Sequence, residues 1–410
     1  MSTIDWNKGV YQTPETENLE STFRITIGSD WGALWGYADF MQREPMAVYG
    51  DLLPLFRESD LNIVNVECAL GERGAPIKKA GPNLRGADGT ERALSEIPIH
   101  VGTLANNHIM DFGPESLAET IDVLHGVGVK TVGAGMNGAE AAKPVITQMK
   151  DATLGIINCA EGEACASING GPGTNPFDVL AVTQQIQELK KQVDAVLVIF
   201  HGGREYVPSP PPYVINALRQ FADAGASAVI AHHPHVPQGV EIHNGVPIAY
   251  SQGNFVFFQN APNGELYFNR TGYLVHLDFA GKVLSRFSLT PYRLKANGVF
   301  ALQGDEKTQL LNELKQVSEL LEDDTKTQQV WNAVVDVQGE MYLRNMLQNM
   351  LNLFDEDGET AAARLHNVFF CPAHREQMMN GLKRISQGKL GDSPEWAKEL
   401  ARDWATRPLK

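Results

Sequence analysis

Apolar runs recur along most of this chain, and several of them close on a polar cluster. Residues 23–28 alternate apolar and polar and end in glycine, which predicts a first core strand with Asp30 just beyond it. Leu61-Asn62-Ile63-Val64-Asn65-Val66 predicts a second strand carrying Glu67 at its end, and residues 97–104 a third before Asn106-Asn107-His108. The spacing then turns helical over 114–124: Pro114 and Glu115 suit a first turn, Leu117, Ile121 and Leu124 share a face, and Gly126 can end it. Strands are expected at 129–132, 154–158, 195–200 and 226–231, with helices at 179–192 and 213–224. Short apolar strands interleaved with helices predict an α/β fold with helices outside the sheet.

Beyond residue 248 the texture changes. Segments 273–279 and 283–289, separated by Ala280-Gly281-Lys282, predict an antiparallel hairpin, so the core includes mixed strands and ends near 294. Residues 1–22 are polar and include Pro14, and are expected as an extended arm. Residues 162–176 are rich in glycine and small side chains and are expected as a plain surface loop, with an active-site loop as the alternative. From 303 to 352 helical spacing returns with Leu310, Leu311, Leu314, Val317, Leu320 and Leu321, then Trp331, Val334 and Val335; Glu322-Asp323-Asp324 breaks or caps it, and a last helix is expected at 396–405. The expected organisation is an arm (1–22), a core domain (23–294) and a mainly helical extension (295–410). That extension is read as a packing layer, with a lid or a homo-oligomer surface as the alternatives.

With 410 residues, 43% of them apolar, the chain can bury a large core. Its formal charge of -15 argues against nucleic acid or a membrane surface as a general partner. No apolar run is long enough to span a bilayer, and the first residues lack a basic segment followed by an apolar one, so a cytoplasmic location is expected. Cys68, Cys159, Cys165 and Cys371 lack metal-finger spacing and are expected as free thiols.

The polar clusters carry the chemistry. Asp30, Glu67, Asn107, His201, His233 and His235 offer carboxylate, amide oxygen and imidazole ligands suited to one or two divalent ions, Zn, Mn or Fe. In a parallel sheet, residues following successive strands converge at the carboxyl edge. Each residue alone has a plainer reading: Asp30 as a strand-end acid, Glu67 as a cap, His201 as a sheet-edge histidine. The combination distinguishes them. His233 and His235 project to the same side if the chain there stays extended, with His232 a spectator. His108, with Asp111 near enough to hold its ring, can protonate a leaving group; the plainer reading is a turn tying loop to helix. Arg204 and Glu205 are candidates for substrate contact, although a surface ion pair accounts for Glu205 almost as well. The sequence has neither a nucleophile elbow nor a phosphate-binding G-x-x-x-x-G-K-[ST] loop, so the expected nucleophile is metal-bound water.

In order, Gly28-Ser29-Asp30, Asn65-Val66-Glu67, Asn106-Asn107-His108 with Asp111 and Gly113, His201-Gly202-Gly203-Arg204-Glu205-Tyr206, His233-Pro234-His235-Val236-Pro237-Gln238 and Tyr250-Ser251-Gln252-Gly253-Asn254-Phe255 resemble the bacterial capsule and poly-gamma-glutamate synthesis family called CapA or PgsA. That family is a branch of the calcineurin-like metallophosphoesterase superfamily. The resemblance implies a four-layer α/β/β/α sandwich; the helical extension lies outside it. It implies His235, Asp30 and Glu67 around one ion, Glu67, Asn107, His201 and His233 around the other, His108 near the leaving group, and Asn254 among the substrate contacts. Two positions depart from the wider superfamily: Gly32 stands where a histidine is usual, and Glu67 where an aspartate is usual. The implied function is metal-dependent hydrolysis of an amide, ester or related polar bond in a polar or anionic small molecule or a gamma-glutamyl compound. A phosphoesterase and a non-catalytic polymer or cell-envelope assembly protein are the alternatives. Arg204, Lys78, Lys79 and Arg85 are candidates for a local basic patch that would offset the acidic surface.

Overall fold

Alternation along the strands divides the apolar side chains between opposite faces. In Phe23–Trp31 and Leu61–Val66, Ile25, Ile27 and Ile63 enter one apolar cluster, whereas Trp31, Val64 and Val66 enter another. In Thr153–Ala160 and Ala195–His201, Ile156, Leu197 and Ile199 join the first of these clusters from the opposite side, whereas Ile157, Val196, Val198 and Phe200 face a third. Two sheets therefore share a central core, and each has its own outer core. A fully buried Leu or Ile contributes about 1.5–3 kcal/mol, which is why both faces of these strands are apolar.

The computed structural model describes residues 4–16, 19–162, 164–257 and 270–407. In the first sheet Phe23–Trp31, Leu61–Val66, Val101–Thr103 and Lys130–Val132 run parallel, and Thr271–Ala280, Val283–Lys295 and Val10–Gln12 continue it antiparallel beyond Phe23–Trp31. The second sheet has Thr153–Ala160, Ala195–His201, Ala228–His232 and Val246–Ala249 in parallel, with antiparallel strands Val145–Gln148 and Val240–His243 at its edges. Helices Trp35–Arg43 and Gly113–Gly126 contribute Tyr37, Met41, Leu117 and Leu124 to the outer core of the first sheet. Val179–Leu189 and Pro212–Ala224 cover the second with Val182, Ile186, Leu218 and Phe221. The result is the expected α/β/β/α sandwich.

The expected third strand is shorter than its apolar run. Only Val101–Thr103 pairs, because Pro98 has no N–H to give and Ile97 and Ile99 pack into the outer core instead. The expected arm contributes an edge strand: Val10 pairs with Ser288 and Gln12 with Arg286, and Tyr11 is buried between the sheets.

Past Lys295 the chain returns as Gly298–Ala301 and then forms helices Gly304–Leu321, Asp324–Leu351, Gly358–Phe370, Pro372–Ser386 and Glu395–Thr406. Leu310, Leu311 and Leu314 of the first helix close the central core, so the extension is continuous with the sandwich. Asp323 caps the second helix by accepting from Thr325 N and Lys326 N, which explains the break read at the acidic triplet. Among the described residues no helix is long and apolar enough to cross a membrane.

Candidate metal centre

The carboxyl ends of the parallel strands of both sheets meet at one place. A bulge between Ile27 and Asp30 shifts the register of Phe23–Trp31, and Asp30 then pairs with Asn254 of the parallel strand Asn254–Val256. Glu67 directly follows Leu61–Val66, Asn107 lies in the turn after Val101–Thr103, and His201 ends Ala195–His201. His233 and His235 follow Ala228–His232 from the second sheet. Asp30 and Glu67 are fully buried, and Asn107, His201, His233 and His235 are each under 9% exposed.

The paired histidines arrive by a different route from the one their spacing suggests. The strand ends at His232, and His233 and His235 adopt φ of 99° and 58°. The chain is therefore not extended there, and left-handed backbone, rare for such side chains, brings both rings inward. His232 stays in the strand, with its Nε2 2.9 Å from Gln252 Oε1.

Around His201 Nε2 the donor atoms crowd: Asn107 Oδ1 lies at 3.0 Å, His233 Nδ1 at 3.1 Å and Glu67 Oε1 at 3.4 Å. On the other side His235 Nδ1 is 3.5 Å from Asp30 Oδ2, and its Nε2 is 3.8 Å from Glu67 Oε1. Glu67, His201 and His233 form one group whose ligand atoms lie within 4.8 Å of each other, and Asp30, Glu67 and His235 form a second. Glu205 joins His233 and His235 in a third.

The residues present fit a divalent cation. Asp30 Oδ2 and both carboxylate oxygens of Glu67 are buried without a hydrogen-bond partner, in a cluster otherwise dense with hydrogen bonds. A buried orphan oxygen is costly, and a cation removes that cost for all three. Burial pushes the Glu67 carboxyl up, and the neighbouring Asp30 charge pushes it further. Burial also lowers His201 and His233, which keeps the rings neutral, the form that ligates metal.

A second set of residues orients these groups. Asn106 Nδ2 donates to Asn65 Oδ1 at 3.1 Å, and Asn65 Nδ2 donates to Asp30 Oδ1 at 2.8 Å while lying 3.2 Å from His201 Nδ1. Asn254 Oδ1, of a residue expected at the substrate, is 2.8 Å from His235 Nδ1. With Asn254 Oδ1 accepting from Nδ1–H, the His235 ring is oriented and its Nε2 is left free. At Gly32 an added Cβ would stand 3.0 Å from both Leu34 Cδ1 and Phe257 Cδ2, and Phe257 stacks on His235 with ring centroids 5.2 Å apart. Aromatic packing fills the space beside the glycine that stands where a histidine is usual.

Beside the cluster, His108 Nδ1 is 2.7 Å from Asp111 Oδ2. Lys79, with its side chain only 3% exposed, donates to Asp111 Oδ1 at 2.5 Å and to Asn107 O at 2.7 Å. Burial lowers the His108 ring, Lys79 adds to this, and Asp111 opposes it. The basic patch resolves unevenly. Lys78 pairs with Glu359 at 3.5 Å, Lys79 is committed to Asp111, and Arg85 donates to the carbonyls of Gly71, Arg73 and Gly74. Arg204 has no hydrogen bond or ion pair among the described residues, and its Nε is buried.

Sequence reading passed over Asn65 and Asn106 as ring-orienting groups, although both stand inside the quoted motifs. It also missed Phe257, Tyr342 and His374, for which no local signal exists. Tyr342 and His374 lie in helices far along the chain, and only the tertiary fold brings them to Arg204.

Fold and site together define a two-sheet α/β sandwich with clustered His, Asp and Glu able to hold a divalent metal ion. Residues 13–259 match the family described as Bacterial capsule synthesis protein PGA_cap, and the chain belongs to that family. It is 31% identical over 256 residues to the PGA biosynthesis protein CapA of Bacillus subtilis, covering 61% of this chain and 66% of that protein. It is 32% identical over 221 residues to the capsule biosynthesis protein CapA of Bacillus anthracis, covering 52% of this chain and 54% of that one. The chain thus spans just under two thirds and about half the length of these two relatives. Among solved structures it is similar to the calcineurin-like phosphoesterase YfkN from Bacillus subtilis, with 14% identity and a TM-score of 0.41 over 73% of this chain and 99% of that one.

Proposed function

We propose that the chain is a metal-dependent hydrolase acting on an amide, ester or related polar bond of an anionic substrate, of which a gamma-glutamyl compound is the leading candidate. The observation that carries this reading is the set of three partnerless buried carboxylate oxygens on Asp30 and Glu67, set among His201, His233 and His235. Glu67, Asn107, His201 and His233 would hold one ion, and Asp30, Glu67 and His235 a second. When bound, Zn, Mn or Fe would polarise the scissile bond and make water nucleophilic at neutral pH. Phe257 and Leu34 pack where a further ligand could stand, which favours the His201 side as the better-occupied position.

The remaining work falls to side chains. Asp111 holds His108 through Nδ1, so Nε2 is the atom available to give a proton to the departing group. Lys79 neutralises Asp111 and fixes the Asn107 carbonyl, which keeps the ligand turn and the acid in register. Arg204, without a hydrogen bond or ion pair among the described residues, would take an anionic substrate group, and Glu205 stands beside it for a polar one. The four cysteines are buried and none is in a disulfide, which supports a cytoplasmic setting as part of this reading.

Elemental analysis of protein purified without chelator, compared with His233→Ala, tests the centre. Metal in the parent that is lost or reduced in the variant supports it, and no metal after reconstitution with Zn, Mn and Fe refutes it. Turnover confined to phosphoesters in a panel of amides, esters and phosphoesters would make the chain a phosphoesterase. Loss of turnover in His108→Ala with metal retained would support the acid role.

A further inference from the structure

We propose that the C-terminal helices build one wall of the substrate site, in which Tyr342 and His374 position Arg204 to receive an anionic group, carboxylate or phosphate, and thereby help to set substrate choice. The location of this wall rests on the hydrolase reading above; anion binding by it does not.

Arg204 belongs to the motif that supplies His201, yet an aromatic ring of the extension faces its guanidinium. The Tyr342 ring, on helix Asp324–Leu351, lies 5.9 Å from the guanidinium carbon, within cation–π range. Tyr342 Oη is 2.9 Å from His374 Nδ1 on helix Pro372–Ser386, and the two rings stack with centroids 5.9 Å apart and planes 8° apart. Tyr342 Oη also lies 3.5 Å from His374 O, so two contacts hold the phenol against His374. Burial pushes His374 down to about 4, and Arg204 adds to the effect, in keeping with a neutral ring beside a cation.

The extension is fastened to the site at several points. Glu161, just past strand Thr153–Ala160, accepts from the Tyr213 hydroxyl and takes a 3.6 Å contact from Cys371 Sγ, while its backbone N–H donates to His201 O at 3.0 Å. One buried residue thus ties the end of the His201 strand to the start of the helix bearing His374. Phe370 packs so closely on Gly162 that an added Cβ there would stand 2.9 Å from its Cε1, and Glu359 pairs with Lys78 next to the buried Lys79. Arg204 alone of the four basic residues lacks a partner among the described residues. A guanidinium with a buried, partnerless Nε, backed by an aromatic ring, is suited to forked recognition of carboxylate or phosphate.

The test is isothermal titration of the metal-stripped full chain with glutarate and, separately, with inorganic phosphate; stripping prevents an ion from contributing the binding. The parent is expected to bind at least one of them at millimolar concentration, and the preferred arm identifies the source chemistry. Arg204→Met is expected to weaken binding by about 10- to 100-fold, the worth of a charge-assisted hydrogen bond. Tyr342→Leu is expected to weaken it by less, with Tyr342→Phe restoring part of the loss by returning the ring. His374→Ala should weaken binding while leaving the metal content of the loaded protein at the parent level. A parent that binds neither anion, or Arg204 and Tyr342 variants that bind as the parent does, would overturn the proposal. Tyr342→Phe, which removes one oxygen, keeps the test informative if Tyr342→Leu fails to fold. Anion binding in a protein that holds no metal would sustain this inference and refute the hydrolase reading alone.

Discussion

Glu67→Gln isolates the contribution of the metal centre without relying on turnover. Glu67 is fully buried, belongs to two of the ligand groups, and has no hydrogen-bond partner for either oxygen. In the metal-free chain, removing that carboxylate takes away a group with unmet bonding needs, so the variant should be at least as stable as the parent, by up to about 1–3 kcal/mol. With metal the order reverses. At one hundred times its dissociation constant a ligand stabilises the folded state by about 2.7 kcal/mol. If losing one anionic ligand weakens binding by about 10- to 100-fold, as ligand-shell changes do, the stabilisation at the same concentration falls to about 1.4 or 0.4 kcal/mol. For 410 residues unfolding together, about 2 cal/mol/K per residue converts these into a parent shift of about 3 °C and a variant shift of about 0.5–1.6 °C. Differential scanning calorimetry of both proteins, stripped and saturated with the metal that elemental analysis identifies, reads all four corners. Equal metal-induced shifts in parent and variant would refute the placement of Glu67 at the ion.

Three further outcomes follow from the same geometry. Lys79→Met leaves buried Asp111 without its ammonium partner and should cost about 3–5 kcal/mol in urea denaturation; a loss under about 1 kcal/mol would show that the pair is dispensable. Gly133 has φ of 94°, and a Cβ there would lie 2.0 Å from Asn158 Oδ1, which accepts from Ala105 N just before the ligand turn. Gly133→Ala should therefore cost at least about 2 kcal/mol and lower metal content, whereas a change within about 0.5 kcal/mol would contradict the close approach. Burial raises the Glu376 carboxyl to about 7, opposed by the hydrogen bond from Trp331, so Glu376 holds its proton more tightly folded than unfolded. Its contribution is complete below pH ~4.5 and is lost as pH rises through ~7. Glu376→Gln should accordingly be more stable than the parent by about 2 kcal/mol at pH 8, after discounting for partial exposure, with little difference at pH 4.5; a pH-independent difference in melting temperature would refute this.

Much of the sandwich was legible because its strands are buried on both faces. Runs such as Ala195–His201 have no polar register to confuse, and helices such as Gly113–Gly126 carry an unbroken apolar face with proline at the start. Ligand types were legible for a related reason: polar groups at the ends of apolar strands have few other places to go. The backbone at His233 and His235 was hidden, since the sequence shows two histidines one residue apart and nothing that marks the left-handed conformation. Lys79 and Arg204 looked equivalent as basic residues near motifs. One is buried against Asp111 and the other is left partnerless, a distinction made by chain segments distant in sequence. The helices Gly358–Phe370 and Pro372–Ser386 were not delineated in the sequence reading; several of their apolar residues, Phe369, Met379, Leu382 and Ile385, are exposed.

The seam between Phe23–Trp31 and Thr271–Ala280 has a consequence for how this chain can be cut. Asp30 rides on a strand whose earlier half is paired from Phe23↔Phe279 to Ile27↔Val275, and those partners lie past the end of the family match at residue 259. A fragment trimmed to the matched stretch would expose that strand as an open apolar edge and leave the central core without Val275, Leu277 and Phe287. The recognisable motifs are therefore not a portable module: the least recognisable part of the chain keeps the first acid of the site in place.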